Sequence, residues 1–231
     1  MCETTRIADI THVIFDLDGL LIDTERVYTV TTNNITRKYG KEFTWDLKTK
    51  CMGLPPIQSN TLVVTELNLP LSVDQFTQMM NEEFAEAVKD VDLMPGVMQL
   101  ITHLHRHNIP MALATGSNTE QFATKTAKFD NLFKDNKYFS HRVLSDDLKV
   151  KKGKPFPDIF IEAMNRFNPV PKPDNCLVFE DAVNGITAAI AANMPCVWVP
   201  DARTDTSRLK ASLVIQSLED FKPEIFGLPP F

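Results

Sequence analysis

The sequence predicts an α/β fold: a parallel sheet flanked by helices, with an all-helical unit inserted after the first strand. Three observations carry that prediction. Short, continuously apolar runs recur along the chain, as strands buried on both faces do. Helical patterns separate them, and repeated strand, helix, strand units with apolar strands argue for a parallel sheet covered on both faces. The interval from about residue 23 to residue 93 breaks the alternation, carrying helical periodicity without a convincing strand.

Taken in order, the first run is THVIFD at residues 11–16, ending in an acid. Residues 111–114, 177–179 and 197–199 repeat the pattern, and residues 142–144 and 213–215 do so more weakly. Helices are predicted over residues 97–107, 120–129, 157–167 and 182–193, with Pro157 suited to a first turn. Inside the insertion, Phe76, Met79, Met80, Phe84 and Val88 follow Ser72 at helical spacing, and Ser72 with Gln75 fits a capping box. That stripe reads as core packing. Met94-Pro95-Gly96 is a turn signal that returns the chain to the sheet.

The 231 residues suit one large domain or a core with an insertion, and 43% apolar with 23% charged residues excludes disorder, collagen and disulfide scaffolds. With 24 Lys+Arg against 30 Asp+Glu, the net charge of -6 opposes sequence-blind attraction to nucleic acid or anionic membrane. Cys2, Cys51, Cys176 and Cys196 lack CxxC spacing and read as free thiols in a reducing compartment. No basic stretch precedes an apolar segment at the start, and no apolar run has the length of a membrane span. A cytoplasmic, monomeric protein without a nucleic-acid or membrane partner is expected.

In open parallel sheets, ligands bind beyond the carboxyl ends of the strands. Four segments fall there: Asp16-Leu17-Asp18-Gly19, Thr115-Gly116-Ser117, Glu180-Asp181, and Gly153-Lys154-Pro155 ahead of a predicted helix. They supply carboxylates, a hydroxyl and one cation to one sheet edge. Carboxylates with a single lysine suit a hard divalent cation, because Mg2+ prefers oxygen ligands and binds through one or two carboxylates plus substrate phosphate. Lys154, Thr115 and the Gly116 amide would then face a phosphate oxygen.

The segments FDLDG, ATGS, GKPFPDIF and FEDAVNG, in this order, resemble the four motifs of the haloacid-dehalogenase-like phosphohydrolase superfamily. The resemblance implies a Rossmann-like core over residues 1–22 and 95–231, a helical cap over residues 23–94 that closes over substrate, and Mg2+ as cofactor. It implies phosphomonoester hydrolysis, with Asp16 as nucleophile and metal ligand and Asp18 as acid and base, its backbone carbonyl also on the metal. Asp181 would be a further ligand, Glu180 a ligand or a partner behind one, and Thr115, Gly116 and Lys154 would hold the phosphoryl group. Gly19 would permit the turn after the nucleophile and Gly185 a close helix approach. Overall similarity points to a small phosphate ester such as pseudouridine 5'-phosphate. Sugar or glycerol phosphates stand as alternative substrates, with a phosphomutase or a non-catalytic binding protein further behind.

Two departures stand out. The second motif has Gly116 where close relatives carry a serine. A related phosphomutase uses a histidine and an arginine of the cap for a second phosphate, where this chain has Tyr28 and Pro56, so the mutase reading weakens. Among other features, Lys149, Lys151 and Lys152 read as a solvated loop, and His103 with His107 lacks the glutamate of a metal motif. Gly53, Leu54, Gln58 and Ser59 suit either a substrate loop or a plain helix connection.

Overall fold

The computed structural model describes residues 6–52, 54, 56–134, 137–207 and 209–231. Cys2 and Gly53, both singled out above, lie outside the described residues. Two compact units are present, one built from the chain up to Ile22 and from Leu93 onward, the other from Asp23–Asp92.

The first unit holds a six-stranded sheet of β1 (His12–Phe15), β2 (Met111–Ala114), β3 (His141–Val143), β4 (Cys176–Glu180), β5 (Cys196–Trp198) and β6 (Leu213–Val214). Their order is β3-β2-β1-β4-β5-β6, every pairing parallel. Ile14 therefore lies between Ala112 and Val178, and Phe15 between Leu113 and Phe179. Because side chains alternate along a strand, Ile14, Ala112 and Val178 join one core with Phe160, Ile186 and Trp198. Phe15 and Phe179 stack at 5.0 Å on the other face, where Phe179 meets Phe221 edge-on at 4.8 Å. Burial on both faces explains why these strands are apolar throughout.

The second unit consists of α1 (Thr24–Arg37), α2 (Trp45–Cys51), α3 (Pro56–Glu66) and α4 (Val73–Ala87). Its core gathers Ile35, Leu47, Val63, Phe76 and Met80. The capping box of α4 forms in both directions between Ser72 and Gln75, while Tyr28 stacks on Phe84 at 4.4 Å. The chain re-enters the sheet unit where Ile22 bridges Leu93 and Met94 N donates to Leu21 O.

The remaining helices belong to the sheet unit: α5 (Val97–Arg106), α6 (Thr119–Thr126), the one-turn α7 (Asp130–Phe133), α8 (Asp158–Asn165) and α9 (Val183–Ala191). The helix predicted over residues 120–129 is therefore α6 followed by a tighter turn at Ala127–Phe129. Pro157 caps α8 rather than filling its first turn. The cysteines Cys51, Cys176 and Cys196 are free and buried. Among the described residues, no helix is long and apolar enough to cross a membrane.

Candidate active site

The strand order reverses direction at β1, with β2 on one side and β4 on the other, so the carboxyl ends of these strands form the crevice where such sheets place ligands. Asp16 follows β1 directly, Thr115 follows β2, and Glu180 ends β4. The Asp16 amide donates to Phe179 O at 3.1 Å and the Thr115 amide to Val143 O at 3.1 Å, fixing both residues at the ends of the ladder. Gly19 then turns the chain with φ of 80°, a backbone region that favours glycine, and its amide donates to Ile22 O at 2.9 Å.

Lys154 arrives from the segment between β3 and α8. The Lys151 and Lys152 amides both donate to Asp158 Oδ2, at 3.1 and 3.0 Å, which ties that segment to the start of α8. Lys154 Nζ donates to Asp16 Oδ1 at 2.5 Å, Glu180 Oε1 at 2.6 Å and Ala114 O at 3.1 Å. Asp16 and Glu180 are buried, and Lys154 is half-buried. Burial pushes Asp16 up to about 7, with Glu180 and Asp18 adding to the rise and Lys154 opposing it. Burial also works against the Lys154 charge, yet Asp16 and Glu180 more than offset it and hold the ammonium above the usual lysine value.

Asp18 occupies a different environment. Its Oδ1 meets Lys125 Nζ at 2.7 Å, and its Oδ2 accepts from Ser117 Oγ at 2.8 Å and Thr115 Oγ1 at 3.3 Å. The Ser117 amide donates back to Thr115 Oγ1 at 3.1 Å, and Asn118 opens α6 with a reciprocal capping box to Gln121. The Gly116 position leaves open space where a side chain would begin.

Carboxylate oxygens of Asp16, Glu180 and Asp181 lie within 4.8 Å of one another. Trp198 Nε1 donates to Asp181 O at 2.8 Å, and the Ala182 amide donates to Glu180 Oε2 at 3.0 Å, so the strand end and its turn are held from two sides. Three hard oxygen donors against the single Lys154 ammonium fit a divalent cation such as Mg2+. The Asp18 side chain is outside that group.

The family model for haloacid dehalogenase-like hydrolases matches residues 13–199, from β1 to the residue after β5. The chain belongs to this family. A probable pseudouridine-5'-phosphatase of Drosophila melanogaster is 43% identical over 96% of both chains. The (DL)-glycerol-3-phosphatase 2 of Arabidopsis thaliana is 44% identical over 96% of this chain and 93% of its own. Among solved structures, a β-phosphoglucomutase from Clostridium difficile superposes with a TM-score of 0.72 at 25% identity, covering 93% of this chain and 94% of the other.

Against the sequence expectations for this family, the structure brings Asp16, Glu180, Asp181 and Lys154 together and gathers Asp18 with Thr115. Ser117 lies in the segment singled out after β2 but had no role assigned to it, and Lys125 lies outside every motif. The available signal for Lys125 was its place beside Thr126 and three residues after Phe122, on the inward face of α6. Gly185 makes the expected close helix approach, against Glu180. Pro56 is exposed as the first residue of α3; Leu54 and Gln58 are also exposed, and Ser59 is half-buried. His103 is occupied by Pro229 O at 2.8 Å and by the Phe231 ring.

Proposed function

We propose that the chain dephosphorylates a small phosphate ester, pseudouridine 5'-phosphate being the first substrate to test, through a phosphoryl group carried on Asp16 and with Mg2+ as cofactor. It is a phosphoric monoester hydrolase. The observation that carries the mechanistic reading is the separation of two neighbouring carboxylates: Asp16 bridged by Lys154 to Glu180, and Asp18 held apart by Lys125, Ser117 and Thr115. The two carboxylates thus face different partners at one strand end, so that Asp16 can attack phosphorus beside Lys154 while Asp18 serves the leaving oxygen.

In the first step an Asp16 oxygen attacks phosphorus and the bond to the leaving oxygen breaks, while protonated Asp18 gives that oxygen its proton. In the second, Asp18 takes a proton from water as the water oxygen attacks phosphorus. The bond to Asp16 then breaks and inorganic phosphate leaves. Lys154 places positive charge beside the phosphoryl oxygens, and Thr115 with the Gly116 amide offers donors. Asp16, Asp181 and the Asp18 carbonyl would hold Mg2+, with Glu180 as a further ligand or a partner behind one. When bound, Mg2+ supplies charge that lets a carboxylate approach a phosphate.

The Drosophila relative supports pseudouridine 5'-phosphate and the Arabidopsis relative, at matching identity, supports glycerol 3-phosphate as the second reading. Tyr28 and Pro56 in place of a cationic pair disfavour a mutase. Released phosphate is to be measured with Mg2+ on pseudouridine 5'-phosphate, glycerol 3-phosphate, hexose phosphates and nucleoside monophosphates. Preference for the first supports the primary assignment; turnover of glycerol 3-phosphate without it replaces that assignment by the second reading. Asp16→Asn is expected to be folded and inert, and a variant retaining most activity would remove Asp16 as nucleophile.

A further inference from the structure

We propose that Lys125, acting with Ser117, is a positioning residue that holds the Asp18 carboxylate in its proton-transfer position, apart from the nucleophile. The inference rests on the roles given above to Asp16 and Asp18. A lysine ammonium is costly to bury unless paired, and removing one partner of a buried ion pair is strongly destabilising. Lys125 is nonetheless only 4% exposed.

Its contacts are specific. Lys125 Nζ lies 2.7 Å from Asp18 Oδ1 and donates to Ser117 Oγ at 2.9 Å, while Ser117 Oγ donates to Asp18 Oδ2 at 2.8 Å. The three side chains close a ring of polar contacts, with Thr115 Oγ1 adding a weaker donor at 3.3 Å. Both oxygens of Asp18 are therefore held, which fixes its rotamer from the β2 and α6 side. Asp16, two residues earlier, is held by Lys154 instead. Each carboxylate has its own lysine, and Asp18 stays out of the Asp16, Glu180 and Asp181 group.

Without Lys125, the Asp18 carboxylate loses its nearest positive charge. Its Oδ1 then loses its partner on the α6 side, and the carboxylate is released to other rotamers. Displaced in that way, it would neither reach the leaving oxygen nor take the proton from attacking water. Small misplacements of a catalytic group have large effects on rate.

The test compares Lys125→Met and Ser117→Ala with the parent protein, in Mg2+, on an alkyl phosphate that the parent turns over and on p-nitrophenyl phosphate. Both variants are first checked for folding by circular dichroism and thermal melting. For Lys125→Met, kcat on the alkyl ester is expected to fall by about 10²-fold, the range of general acid–base catalysis, with KM little changed. p-Nitrophenolate leaves without needing a proton, so its first turnover is expected to remain fast. A burst of about one equivalent should then precede slow turnover, because water attack still needs Asp18.

Ser117→Ala is expected to shift the same readouts in the same direction by less, and it decides the matter if Lys125→Met does not fold. Equal losses on both esters without a burst would overturn the positioning role, as would unchanged kinetics. An active Asp16→Asn would overturn the underlying mechanism. An inert Asp16→Asn beside unaffected Lys125→Met and Ser117→Ala would overturn this inference alone.

Discussion

Gly185 in α9 lies directly against Glu180, such that a methyl group in place of its hydrogen would come within 1.8 Å of Glu180 Oε1 and 1.9 Å of Cδ. Glu180 is itself pinned by Lys154 and by the Ala182 amide. Gly185→Ala must therefore displace a held carboxylate. Overpacking of this kind costs about 1–3 kcal/mol, while replacing a helical glycine by alanine returns at most about 1 kcal/mol. The variant is expected to melt at a lower temperature and to lose at least about tenfold in kcat, because the Lys154 ammonium moves with Glu180. Thermal melts and phosphate release check both parts; parental values in each would show that Glu180 has room to move.

A second expectation concerns acid. His12 and His141 flank Phe167, with ring centroids 4.6 and 4.7 Å away. Burial lowers the pKa of both; for His141, Arg166 adds to the lowering, while the bond to Ala163 O and the Glu162 charge oppose it. The unfolded chain takes up protons on these imidazoles near pH 6.5, where the folded chain resists them. Their contribution to stability is thus complete above that pH and declines as the pH falls below it. Asp16, raised to about 7, acts in the opposite sense over the same range. The difference between the parent and a His12→Gln, His141→Gln variant isolates the histidines: melting temperature should fall less steeply from pH 7 to pH 5 in the variant. Equal slopes would remove the two imidazoles from the acid response.

The sheet was legible because strands buried on both faces must be apolar, as residues 111–114 are. The edge strands β3 and β6 were weaker signals for the matching reason: each has an exposed residue and only three or two residues in the ladder. Asp16, Lys154 and Asp181 were readable because each falls at a strand end or loop in a recognisable motif. Lys125 was not, since lysine in a helix ordinarily faces solvent and only helical spacing marks its inward direction. Ser117 was not readable because its spacing carries no signal of its own: its hydroxyl reaches Asp18 only once β1 and β2 lie side by side. For Glu180, sequence left open whether it meets the metal or stands behind a ligand; its bond to Lys154 makes it part of the charge balance in either case.

Ser72 and Gln75 satisfy each other's backbone amides at the start of α4, at 3.1 and 2.8 Å. The helix they begin supplies Phe76 and Met80 to the core of the helical unit. Ser72→Ala is expected to cost about 1 kcal/mol, the usual loss for an N-cap. Hydrogen exchange should accelerate at the first α4 amides, while β1, β2 and β4 keep their protection, because the capping box lies wholly in the other compact unit. Uniform acceleration across the sheet would show instead that the two units open together.

Lys154 gives the final expectation. Replacing it by methionine leaves Asp16 and Glu180, with exposures of 6% and 1%, facing each other without their shared cation. Breaking a buried ion pair by removing one partner costs about 3–5 kcal/mol, since the remaining charge stays desolvated. Lys154→Met is therefore expected to melt well below the parent in the presence of a chelator. If the three carboxylates hold Mg2+, a ligand that binds only the folded state raises stability by mass action. Added Mg2+ should then raise the melting temperature of the variant by more than that of the parent, because the cation relieves a repulsion that Lys154 already relieves in the parent. Turnover should stay low even so, since the phosphoryl oxygens lose the ammonium that faces them. An equal response to Mg2+ in both proteins would separate the Lys154 charge from the proposed metal site.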